Sequence, residues 1–117
     1  MSNRPLSEQA FLVLTALADE VKHGYAIVQA VEALSEGRVQ LPVATLYGVL
    51  DRLVGDGLVE RDRDETHQGR LRRYYRLTDG GVHALANEAY RLEANLRAAR
   101  SVLRARGLRP ARAGGSG

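Results

Sequence analysis

Residues 42–58, PVATLYGVLDRLVGDGL, restrict the fold more than any other stretch of the chain. Leu46, Val49, Leu50 and Leu53 recur at the three-and-four spacing that lines one face of a helix. Pro42 opens the run in the first turn, where a missing N–H costs nothing, and Gly55 and Gly57 end it. Such an apolar stripe needs covering by other elements, which leaves the opposite side facing water. That side offers Ala44, Thr45, Gly48, Asp51 and Arg52, with Tyr47 at the border. Small side chains there let the backbone come close to a groove.

Directly downstream, LVERDR and RLRRYYRLT read as two strands joined at DETHQG, with the turn near Thr66 to Gly69. Alternation along the second arm places Leu71, Arg73, Tyr75 and Leu77 on one face and Arg72, Tyr74 and Arg76 on the other. The first face is the more apolar, so Tyr75 and Leu77 are its predicted core residues. A short helix followed by a basic hairpin is the arrangement with which a winged helix-turn-helix meets DNA. The helix enters a major groove and the hairpin reaches the flanking phosphates.

Two further helices precede this unit. Residues 6–20 form the first, apolar nearly all round at Phe11, Leu12, Leu14, Ala16 and Leu17, with Ser7 as its N-cap. Lys22, His23 and Gly24 break the pattern, and Gly24 suits a turn with positive φ. Residues 25–35 form the second, carried by Ile27, Val28, Val31 and Leu34 and ended by Gly37. Residues 38–41 are short enough for a small strand or an extended link.

The last helix is predicted from about residue 79 to about residue 106. Val82, Leu85, Ala89, Leu92, Leu96, Ala99 and Leu103 alternate spacings of three and four, a heptad seam. At 1.5 Å per residue the helix is ~40 Å long, more than a small winged domain covers. The economical cover for the remainder is the same helix of a second copy, giving a two-fold homodimer. The expected fold is therefore mainly α with a small β-hairpin: a winged helix-turn-helix domain plus one long C-terminal dimerisation helix. Its divisions are a flexible N-terminus at 1–5, the domain at 6–78, the dimerisation helix at 79–106 and a disordered tail at 107–117.

Charge placement supports a polyanionic partner. The 117 residues carry a net charge of +3. Residues 1–60 hold four basic and eight acidic side chains; residues 61–117 hold thirteen arginines against six carboxylates. Arginine forks suit phosphate. Other chemistries find little support. There is no cysteine, the three histidines share no metal spacing, and neither a glycine-rich phosphate loop nor a nucleophile elbow is present. The carboxylates of ERDRDE at 60–65 alternate with arginine and are expected to pair with it. The expectation is a protein that is not an enzyme and uses no cofactor or metal. With no run near the ~20 apolar residues that span a bilayer and no signal pattern in MSNRPLSEQ, a cytoplasmic location and no membrane partner are expected.

Three stretches together resemble the PadR-type transcriptional regulators, in the small form with one C-terminal dimerisation helix. They are HGYAIVQAVE at 23–32, PVATLYGVLDRLVGDGLV at 42–59 and GRLRRYYRLTDGG at 69–81, and the resemblance covers roughly residues 8–105. It implies a winged helix-turn-helix dimer that represses transcription and is released by a small-molecule effector. Some members stack planar drugs between tryptophans at the dimer centre; this chain has no tryptophan.

On this reading, double-stranded DNA meets Thr45, Tyr47, Gly48 and Arg52 of the recognition helix. Arg70, Arg72 and Arg73 of the wing supply the charge, followed by Arg61, Arg63 and Arg76. Two-fold symmetry implies an inverted-repeat operator with half-sites about one helical turn apart. In the family reading an effector pocket lies between the first helix and the dimer helices, with Phe11, Tyr90 and Leu92 as candidate lining. A second function class stays open: a winged-helix protein-interaction module without DNA binding, which the acidic balance of the first 60 residues favours.

Overall fold

The computed structural model describes residues 5–108. The flexible start and disordered tail expected from the sequence fall mostly on residues 1–4 and 109–117, outside the described residues. Gly107 and Leu108 follow the last helix in its closing turn, where their N–H groups donate to the carbonyls of Arg104 and Leu103 at 2.9 Å.

In chain order the elements are α1 (Glu8–Ala18), β1 (Lys22–His23), α2 (Gly24–Leu34), α3 (Val43–Gly55), β2 (Val59–His67), β3 (Arg70–Leu77) and α4 (Asp79–Ala105). Ser7 caps α1, accepting the Ala10 N–H at 3.1 Å. The α3 helix starts one residue later than expected, because Pro42 is extended (ψ 148°) and sits at the N-cap. Residues 38–41 form a link, not a strand. It is tied down by the buried Ser35 hydroxyl, which accepts the Val39 N–H at 2.9 Å.

One element has no counterpart in the sequence reading. Lys22 and His23 form a two-residue strand that pairs antiparallel with Tyr75 and Tyr74, giving a three-stranded sheet of order β1-β3-β2. The expectation for Gly24 also fails. It is the first residue of α2, outside the positive-φ region. Its small size serves space instead: a Cβ there would lie 2.6 Å from the Tyr47 hydroxyl. The β2–β3 turn does use the left-handed region. Gln68 and Gly69 have φ of 51° and 80°, the two-residue turn whose twist matches the flanking strands.

The core is built where the periodicities put it. Leu46, Val49, Leu50 and Leu53 of α3 are buried against Val13 and Leu14 of α1, Ile27 and Val31 of α2, Val59 of β2 and Tyr75 of β3. Leu77 packs on the margin, half-buried. By contrast, most of the α4 seam is uncovered. Leu85 reaches the core margin, while Val82, Leu92, Leu96 and Leu103 are exposed at 51%, 43%, 48% and 39%. Among the described residues no helix is long and apolar enough to cross a membrane.

The junction of α4 with the sheet is tight. The Thr78 hydroxyl accepts the Gly81 N–H at 3.0 Å and donates to the Gly57 carbonyl at 2.7 Å. The Thr78 N–H donates to the Leu58 carbonyl at 3.1 Å. Gly81 is buried, and a Cβ there would collide with the Leu58 carbonyl and the Leu77 side chain. Gly81→Ala should therefore lower stability by roughly 1–3 kcal/mol, since backbone cannot yield as a flexible side chain does. Gly55→Ala, with nothing within 4 Å of its Cβ, should be neutral or stabilising by up to about 1 kcal/mol. Urea denaturation midpoints of the two variants check the contrast.

Candidate nucleic-acid interface

The exposed side of α3 follows from its buried stripe. Thr45, Gly48 and Arg52, spaced three and four apart, share one open face with Ala44 and Asp51 beside them. Arg52 stands on the last turn, where it also lines a wide groove of about 770 Å³ shared with residues 5–7 and α4. Tyr47 departs from the other three. It is half-buried, its hydroxyl beside Gly24 and its ring 6.4 Å from that of Tyr75. It therefore joins α3 to α2 and β3.

The wing separates its arginines into two sets. Near the base, Arg76 pairs with Glu60 and lies 3.6 Å from Asp62, and Arg63 pairs with Asp62 at 2.7 Å and Glu65 at 2.6 Å. Arg61 lies 4.0 Å from Asp64. These contacts hold the Glu65 carboxyl below its ordinary value, through the Arg63 hydrogen bond first. The carboxylates of residues 60–65 thus pair with arginine as their alternation implied. Toward the tip, Arg70, Arg72 and Arg73 have no carboxylate within 4.0 Å among the described residues. Exposed pairs of this kind add little stability. Their effect is to engage Arg61, Arg63 and Arg76 with carboxylates, while Arg72 and Arg73 stand in register opposite Glu65 and Asp64 without an ion pair.

Two contacts meet on Tyr74, one within the wing and one joining it to the head of α2, and neither was legible in the sequence. The Arg63 guanidinium carbon sits 4.2 Å above the centre of the Tyr74 ring. His23 meets the same ring edge-on, at 5.4 Å between centroids and 80° between planes. His23 also caps α2, its Nδ1 accepting the Ala26 N–H at 3.4 Å. Histidine is not among the usual N-cap residues, so the residue type gave no signal.

The third region lies along α1 and α4. Phe11 and Leu92, expected in an effector pocket, line a cavity of about 360 Å³ with Leu6 and Leu12, rimmed by Glu8, Arg38 and Glu88. Tyr90 lies outside it and is 71% exposed. Glu88 is buried on the otherwise open α4, paired with Arg91 and accepting the Leu6 N–H, contacts that hold its carboxyl below the ordinary value. Ala89 and Ala99 continue the exposed seam. Among the described residues no cluster of three or more histidine, cysteine or acidic groups could hold a metal ion.

Three helices, a β-wing braced by a third short strand and a long C-terminal helix define a winged helix-turn-helix protein. The sequence signature described as "Transcriptional regulator PadR-like family" matches residues 13–87. The chain belongs to this family of transcriptional regulators. It is 42% identical over 84 residues to an uncharacterised 37.1 kDa protein in transposon TN4556 of Streptomyces fradiae. That match takes in 72% of this chain but only 23% of the relative's length. A PadR family transcriptional regulator from Eggerthella lenta superposes with a TM-score of 0.65 at 26% identity, over 82% of this chain and 84% of that one. Bacillus subtilis PadR in complex with operator DNA superposes with a TM-score of 0.59 at 20% identity, over 67% of this chain and 44% of that one, a likeness of fold.

The His23 cap carries a pH dependence. Burial first, then the positive charge of Arg72 and the proximity of His67, hold His23 below its ordinary value of 6.5. Its neutral Nδ1 is the cap acceptor, and protonation would also set a cation at a helix N-terminus. Below 6.5 the unfolded chain takes up a proton that the folded chain resists. The contribution is therefore complete above that value and is lost as pH falls beneath it. The urea midpoint should drop between about pH 7.5 and about pH 5.5. The drop should shrink in His23→Asn, whose side chain caps without titrating.

Proposed function

We propose that the chain is a homodimeric transcriptional repressor that binds an inverted-repeat operator. The carrying observation is the trio Arg70, Arg72 and Arg73, without a carboxylate within 4.0 Å among the described residues, on the hairpin that follows the open Thr45–Gly48–Arg52 face of α3. The α3 face has one cation, so it supplies shape and register, and the wing supplies charge. The operator complex of the B. subtilis relative supports the same mode of binding. The exposed α4 seam supports a dimer, in which the seam of a second copy covers Leu92, Leu96, Ala99 and Leu103. A small effector would enter the cavity between α1 and α4, on a floor of Leu6, Phe11, Leu12 and Leu92.

Two measurements test this. With about six wing contacts per dimer, affinity for duplex DNA should fall with salt at a log–log slope of about −5, and Arg72→Gln should make it shallower by about two. A flat salt response would favour the protein-interaction module instead. Leu96→Glu combined with Leu103→Glu should convert a dimer to a folded monomer, read as halved mass in sedimentation equilibrium. A dimer that survives both charges removes the α4 seam from the interface.

A further inference from the structure

Tyr74 occupies the point at which the wing leaves the domain. On the turn side of Tyr74, β3 has only β2 for a neighbour; β1 pairs with Tyr74 and Tyr75 and reaches no further. The overhang of Arg70–Arg73 amounts to about 13 Å at 3.3 Å per residue. The β2 strand has its irregularity at the same level. Arg61 faces Tyr75 and Arg63 faces Tyr74, so Asp62 is an extra residue between them. A bulge bends and twists the strand that carries it. Free to flex there, the overhang would let Arg70, Arg72 and Arg73 wander relative to α3. A two-residue edge strand is a weak restraint against that motion. What reinforces it is one aromatic ring, touched by the Arg63 guanidinium from the bulged strand and by the His23 ring from the head of α2.

We propose that Tyr74 is the positioning residue of the wing, fixing the angle at which the three tip arginines stand relative to α3 by clamping the bulged hairpin to His23. The inference rests on the DNA-binding reading for its consequence, but not for its mechanics. Both contacts use the ring and not the hydroxyl. Cation–π and edge-on aromatic contacts are individually weak, enough to shift the order of a hairpin tip without deciding whether the domain folds.

The test compares the wild-type chain with Tyr74→Phe, Tyr74→Ala and His23→Asn. Amide hydrogen exchange at residues 70–73 of the free protein reports wing order without DNA. Exchange there should rise several-fold in Tyr74→Ala and His23→Asn and stay at the wild-type rate in Tyr74→Phe. Exchange in the buried helices α1 and α3 shows that each variant is folded, and His23→Asn keeps the α2 cap should Tyr74→Ala unfold. In duplex binding, the two disruptive variants should show a salt slope shallower by about one to two and an affinity about tenfold lower at low salt, converging with wild type at high salt. Unchanged exchange at residues 70–73 in folded Tyr74→Ala or His23→Asn overturns the proposal, as does loss of order in Tyr74→Phe. Should wild type fail to bind duplex while the exchange pattern follows expectation, the DNA reading falls and the positioning role stands.

Discussion

Burial of Tyr75 in the middle of β3 ties the separate parts of the domain to one strand. Its side chain is 2% exposed. Its backbone is paired with Lys22 of β1 on one side and Arg61 of β2 on the other, and its ring approaches Tyr47 of α3. A buried aromatic removes about 150–250 Å² from water, so the strand cannot slide by one residue without expelling that area. The open face of α3, the head of α2 and the root of the wing therefore share a common reference. A domain this small has no second layer with which to correct an error of register.

Electrostatics act on that frame by subtraction. The hairpin has six arginines, and carboxylates of β2 pair with three of them, Arg61, Arg63 and Arg76. Pairs this exposed contribute little to folding. Their value lies in which guanidiniums they engage: Arg61, Arg63 and Arg76 are held by carboxylates, and Arg70, Arg72 and Arg73 are left without one within 4.0 Å among the described residues.

The sequence conveyed what periodicity conveys. The α3 stripe, the alternation around Tyr75 and the long seam of α4 all declare themselves through spacing, and the turn expected near Thr66 to Gly69 closes at Gln68–Gly69. What stayed hidden depends on contacts between residues distant along the chain. β1 has only two residues, too few for any alternation, and exists because β3 offers it a free edge. Gly24 looked like a turn glycine, and only the approach of Tyr47 from another helix gives its true reason. Tyr47 itself read as a border residue of the open face, yet its hydroxyl is directed toward α2. Glu88 on an exposed helix gave no hint of burial, since its partners, Arg91 apart, come from the segment before α1. At the wing, the bulge at Asp62 and the clamp on Tyr74 are pairing events, and pairing leaves no trace in local pattern.

The seating of α4 on Gly81 and Thr78 has a mechanical consequence. The N-cap of the helix is bonded to the Gly57 and Leu58 carbonyls just before β2, and Gly81 makes a contact with no room for a methyl group, so the joint leaves the helix little space for rotation. Its 27 residues then make a stiff arm about 40 Å long. A tilt of about five degrees at the root sweeps the far end through about 3.5 Å, and the reverse transmission is equally undamped. A load on the outer turns of that arm would reach the hairpin through the Thr78–Gly81 joint, with the face of α1 as its other support.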